Sequence, residues 1–118
     1  MTETNYPEYH ERLKSLMKGL SRELPGPMSG FAQLHRQAMS DGALGAKYKE
    51  MIALAIGIQS QCQGCIAFHT HGALRAGAMR AEVLETIGVA LMMGGGPASI
   101  YAAEAYAALD QFEKLTTK

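Results

Sequence analysis

Residues 46–59 read AKYKEMIALAIGIQ, and after Glu50 this stretch is apolar on nearly every side at helical spacing. A helix that is hydrophobic all round must be surrounded, either by other helices of a bundle or by a neighbouring subunit. Its one acid, Glu50, then enters an apolar environment, where a carboxylate is costly unless it has a partner. These two demands, for enclosing helices and for a partner to Glu50, constrain the fold more than any other feature of the chain.

The rest of the sequence supplies the enclosing helices. Residues 7–23 are amphipathic, with Leu13, Leu16, Met17 and Leu20 on one face and Pro7 suited to the first turn. Pro25 and Pro27 break that helix, and a second over 28–39 is expected to turn Phe31, Leu34 and Ala38 inward. Ser60 has the position of an N-cap, and S-x-x-Q over Ser60–Gln63 has the form of a capping box. The helix it opens should run to Ala76, with Gly77 as the C′ residue. Residues 80–93 form a further helix, apolar at Val83, Leu84, Ile87 and Leu91. GGGP at 94–97 interrupts, and an alanine-rich helix over 98–114 closes the chain. No apolar/polar alternation runs long enough for a strand. The expectation is an all-α single domain over 1–118 with about six helices, completing its core by oligomerisation, since 118 residues leave little surplus of buried surface.

Charge excludes several functions. Eleven Lys and Arg balance eleven Asp and Glu, with no basic patch for nucleic acid and no lysine-rich face for a membrane surface. HTHGALRAGAMRAEVLE superficially reads as helix-turn-helix, but the balanced charge speaks against DNA. The polar N-terminus is unlike a signal peptide, and the apolar run near 51–58 is far too short for a membrane span. A cytoplasmic protein is expected. GGGP lacks the lysine and the preceding strand of a phosphate loop.

Reactive side chains concentrate in SQCQGCIAFHTH, residues 60–71, which holds both cysteines and two of the four histidines. Cys62, Cys65 and His69 are spaced i, i+3, i+7 and share one helical face. A thiol at the start of that helix is favoured as thiolate by the free N–H groups and the macrodipole. The two helices on either side of residue 60 should form an antiparallel hairpin. Glu50 lies ten residues before that pivot and His69 nine after, each about 14 Å from the turn at about 1.5 Å per residue. His69 is therefore the expected partner of Glu50. The implied chain is Glu50, His69, Cys65, with Cys62 one turn away: an oriented base, an activated thiol and a second thiol able to resolve its oxidised form. Such a pair in a reducing compartment is more often catalytic or metal-binding than a structural staple. Inert packing of the cysteines and a zinc site from Cys62, Cys65, His69 and either His71 or Glu50 are the competing readings. Haem attachment is excluded because Ile66, not histidine, follows Cys65. His71 points elsewhere on the helix, as a surface or interface residue. His10 and His35 are expected to be exposed, and Tyr48, Tyr101 and Tyr106 to line a pocket or to pack.

The pattern E-x11-C-x2-C-x3-H at Glu50, Cys62, Cys65 and His69 resembles the alkylhydroperoxidase D-like branch of the carboxymuconolactone decarboxylase family. The resemblance extends over residues 44–108, with residues 1–41 as an N-terminal helical extension. It implies an all-helical fold assembling into homotrimers or homohexamers. It also implies hydroperoxide reduction in which Cys65 is the attacking thiolate, Cys62 the more exposed resolving thiol, His69 the base and Glu50 the orienting acid. No bound cofactor is implied. The expected partners are a small hydroperoxide and a dithiol donor such as a lipoylated or thioredoxin-like protein. Some members carry a second histidine between the cysteines, where this chain has Gly64. Lactone decarboxylation, the activity of the family's other branch, and a non-enzymatic zinc module are the alternatives.

Overall fold

The computed structural model describes residues 3–116. Among them are six helices and no strand: α1 (Tyr6–Glu23), α2 (Pro25–Met39), α3 (Ala46–Gln59), α4 (Gln63–Arg75), α5 (Arg80–Gly94) and α6 (Gly96–Thr116). The all-α architecture is as read from the sequence.

Local chemistry accounts for the boundaries. Asn5 caps α1, its Oδ1 accepting the Glu8 N–H at 3.1 Å, and Pro7 sits in the first turn. Pro25 and Pro27 end α1 but do not keep α2 waiting until residue 28. They occupy the first turn of α2, where a missing N–H has no partner to lose. Asp41 Oδ1 accepts the Ala46 N–H at 2.7 Å as α3 begins. At the end of α4 the Ala78 N–H returns to the Ala73 carbonyl, with Gly77 at φ +99°, so the expected glycine terminator is in place. GGGP is a pivot of one residue: α5 ends at Gly94, Gly95 takes φ +66°, and α6 starts at Gly96 with Pro97 in its first turn.

The core lies between α3, α4, α5 and α6. Leu54 and Ile58 of α3 meet Ile66 and Ala73 of α4, Val83 and Ile87 of α5, and Leu109 of α6. Ala98, Ala102, Ala105 and Ala108 form the buried edge of α6, and their small size lets the helices approach closely. α3 and α4 share the largest contact in the molecule, which is what aligns the site.

The two N-terminal helices depart from expectation. α2 buries no residue at all: Phe31 is 63% exposed, Leu34 62%, and Ala38 is open as well. Its amphipathic face is real, but among the described residues of one chain α2 touches only α1 and α3, and neither covers it. α1 engages the body through its first two turns, burying Tyr6 and His10, while Leu16, Met17 and Leu20 extend past the body and are exposed. Ile52, Ile56, Met92 and Met93 on α3 and α5 are exposed too. Among the described residues no helix is long and apolar enough to cross a membrane.

Candidate redox-active site

The site is built on the turn between α3 and α4. α3 closes at Ser60, whose N–H donates to Ile56 O at 2.8 Å, and the Cys62 N–H reaches back to Gly57 O at 3.0 Å. Gln61 between them has φ +56°, the left-handed region that side-chain-bearing residues seldom adopt. The capping box expected at Ser60 does not form. Ser60 is the C-cap of α3, because the reversal needs Ser60 and Gln61 before a new helix can start. Cys62 takes the N-cap role instead, its Sγ accepting the Cys65 N–H at 3.1 Å. Its sulfur therefore lies at the positive end of α4.

Cys62 and Cys65 are joined in a disulfide, with Cα atoms 5.2 Å apart, and both residues are half-buried. Glu50 and His69 are brought together as the hairpin count requires: Oε1 accepts from Nδ1 at 2.7 Å, with the side chains only 18% and 20% exposed. With Nδ1–H turned to the carboxylate, Nε2 keeps the basic lone pair. Cys65 and His69 are one turn apart on the same face of α4.

Two glycines make the arrangement fit, and sequence reasoning passed over both. A Cβ on Gly57 would lie 2.8 Å from Cys65 Cβ, so α3 can approach the cysteine turn only without a side chain there. A Cβ on Gly72 would lie 2.5–2.7 Å from the three carboxyl atoms of Glu50; the missing side chain is the slot that holds the carboxylate. Their spacing, seven residues after Glu50 and three after His69, is the available signal. Gly64, between the cysteines, faces α1. Its Cβ position is 3.2 Å from Leu13 Cδ1 and 4.0 Å from Tyr9 Oη, so α1 fills the space a larger residue would use.

A cavity of about 400 Å³ opens beside Glu50 and His69. It is lined by all four histidines, His10, His35, His69 and His71, with Phe68, Gly72, Arg75 and Ala76, and by neither cysteine. His10 is not exposed as expected but 5% accessible, because the first turns of α1 lie directly on α4 and α6. Its ring packs against His71 in a tilted contact at 4.4 Å and meets Phe68 edge-on at 4.6 Å. His71 also touches Phe112, at 5.2 Å, so it is a packing partner of α1 and half-buried. Burial lowers the pKa of both rings; the neighbouring His71 lowers His10 further, and Arg75 does the same to His71. His35 is exposed as expected, at the cavity wall. Tyr101 lines a separate cavity with Gln61 and Gln63, whereas Tyr48 and Tyr106 are exposed beneath Lys47 and Arg80. Among the described residues no three His, Cys, Asp or Glu side chains converge as a metal site in this disulfide-bonded state.

Comparison with known proteins bears on the family and the fold. The model of the carboxymuconolactone decarboxylase family matches residues 25–108. An uncharacterised protein of Cupriavidus necator is 41% identical over 91 residues, covering 77% of this chain and 80% of the relative. An uncharacterised protein of the cox locus of Paracoccus denitrificans is 39% identical over 83 residues, 70% of this chain and 75% of the relative. The crystal structure of a carboxymuconolactone decarboxylase family protein from Legionella pneumophila superposes with a TM-score of 0.88 at 40% identity, covering 93% of this chain and 98% of that one. A family protein from Thermotoga maritima, with a suggested part in the antioxidative response, shares the fold at a TM-score of 0.80 and 23% identity, over 97% of this chain and 94% of that one.

Proposed function

This chain belongs to the carboxymuconolactone decarboxylase family, and on that premise we propose that it is a cytoplasmic thiol-dependent peroxidase or disulfide oxidoreductase working through Cys62 and Cys65. The observation that carries the reading is the conjunction at one helix start. A Cys62–Cys65 disulfide sits one turn from a histidine whose Nδ1 is held by a half-buried carboxylate.

In the reduced protein, His69 Nε2 takes the Cys65 proton, and Glu50 stabilises the imidazolium that results. The thiolate attacks the terminal oxygen of a hydroperoxide. An S–O bond forms, the O–O bond breaks, and the alcohol leaves with the proton returned by His69. Cys62 then attacks the sulfenic sulfur, forming the disulfide and releasing water. Two electrons and two protons from an external dithiol, on a lipoylated or thioredoxin-like protein, restore the thiols. Assembly into a homotrimer or homohexamer is part of the proposal, supported by the exposed apolar residues Phe31, Leu34, Ile56, Met92 and Met93. The test is peroxide consumption with a dithiol reductant. Full turnover retained by both Cys65→Ser and Cys62→Ser refutes the mechanism.

A second reading has one specific observation in its favour. The histidine-lined cavity touches Glu50, His69 and Arg75 but neither cysteine, an arrangement suited to acid–base chemistry on a small carboxylated lactone. Lactone turnover that survives loss of both thiols selects it.

A further inference from the structure

The residue next to Cys62 is tied to the far end of the chain. Gln63 Nε2 donates to Thr4 Oγ1 at 3.1 Å and to Tyr6 Oη at 3.4 Å. Tyr6 is fully buried and its hydroxyl donates to the Glu104 carboxylate of α6. Gln111 of α6 completes the anchor, accepting the Tyr6 N–H at 2.7 Å and donating to Thr4 O at 2.9 Å. Burial and the Glu104 carboxylate hold the phenol well above its usual range, so it remains a donor throughout the pH range in which thiols react. On the other side of Cys62 stands Gln61 at φ +56°. Such a conformation persists only where its surroundings over-determine it.

We propose that Tyr6 is a positioning residue for the Cys62–Cys65 couple, holding the Cys62–Gln63 turn in its disulfide-forming geometry through Gln63, with Glu104 as the fixed acceptor. The couple is Cys62–S–S–Cys65 plus two electrons and two protons, supplied by an external dithiol, against two thiols. In the oxidised state the S–S bond itself holds the turn. In the reduced state only the non-covalent anchor does. An ordered reduced turn keeps the Cys62 thiol at a high effective concentration beside Cys65, which favours the disulfide. Loss of the anchor therefore makes the disulfide easier to reduce. The inference rests on the two cysteines acting as a redox couple, as in the proposed function, but its readout is the thiol–disulfide equilibrium itself and does not require peroxide turnover.

The experiment equilibrates the full chain in dithiothreitol redox buffers and counts alkylated thiols by intact mass. Tyr6→Phe is expected to shift the equilibrium about tenfold toward the dithiol, a rise of about 30 mV in potential. Gln63→Leu, which removes the amide and with it the contacts to both Tyr6 and Thr4 but leaves Tyr6 in its buried place, is expected to give at least the same shift and carries the test if Tyr6→Phe fails to fold. The double variant should shift no further than Gln63→Leu alone. Glu104→Gln, which keeps an acceptor for the hydroxyl, should lie closer to the parent than Glu104→Leu. A parental equilibrium in Gln63→Leu overturns the proposal. So do additive shifts in the double variant, because Tyr6 would then act by a route other than Gln63.

Discussion

Gly72→Ala separates the Glu50–His69 contact from the stability of the fold. The added Cβ would stand 2.5–2.7 Å from the Glu50 carboxyl atoms, where ordinary van der Waals contact begins at 3.4 Å. The obstructed group is the free end of a flexible side chain, so the carboxylate moves aside by about 1 Å and the helices stay in place. That displacement takes the 2.7 Å bond to His69 Nδ1 beyond hydrogen-bonding length. A hydrogen bond to a charged group contributes about 1.5–3 kcal/mol. Alanine in place of glycine within a helix returns about 0.5–1 kcal/mol. The net loss is about 0.5–2.5 kcal/mol, or roughly 2–10 °C in Tm for a domain of this size. The effect on the thiol should be far larger in proportion. An unheld His69 is no longer positioned, and a positioned base contributes about 10²–10⁴-fold, so iodoacetamide alkylation of Cys65 at neutral pH should slow at least tenfold. The assay is the alkylation rate against pH on the reduced protein, alongside a thermal melt. Gly88→Ala is the companion: nothing lies within 4 Å of its Cβ position, so it should leave the thiol unchanged. A parental alkylation profile in Gly72→Ala would refute the claim that the carboxylate contact activates the histidine.

Other outcomes follow from the same contacts. His69→Ala should raise the pH at which Cys65 becomes reactive, read by the same alkylation profile; an unmoved midpoint removes His69 from the relay. Gly57→Ala should destabilise the fold by about 1–3 kcal/mol, measured by urea unfolding, because its Cβ meets Cys65 Cβ and backbone and forces α3 from α4. His10 and His71 have folded pKa values below the ordinary value of about 6.5. The unfolded chain therefore binds protons first, and the stability linked to these rings, complete above about 6.5, is lost as pH falls through their lowered folded values. Tm should drop between pH 7 and pH 5, and His10→Gln should flatten that drop; an identical profile in the variant would count against it.

The Glu50–His69 pair was legible because its geometry is one-dimensional. Two helices joined by a short reversal bring residues equidistant from the turn to the same level, and a lone acid on an apolar helix asks for a partner. The errors lie where a choice depends on distant residues. S-x-x-Q at Ser60 is a valid local cap, but α3 needs Ser60 to close. Gln63 is committed to Thr4 and Tyr6, 59 and 57 residues away. The amphipathic face of α2 could be read from spacing, yet whether another part of the chain covers it could not. His10 is buried because α1 lies across α4 and α6, a docking that the helix's own period does not encode. Gly57 and Gly72 looked like ordinary helical glycines until the neighbouring helix supplied the atoms that exclude a side chain.

Thiol counting asks directly whether Cys62 and Cys65 are a peroxide-driven redox pair, as proposed. The reduced protein is titrated with one equivalent of hydroperoxide, and free thiols and peptide masses are measured before and after. Both thiols are expected to disappear together into a disulfide within one chain, linking Cys62 to Cys65. Two thiols still free after the peroxide is added would contradict it.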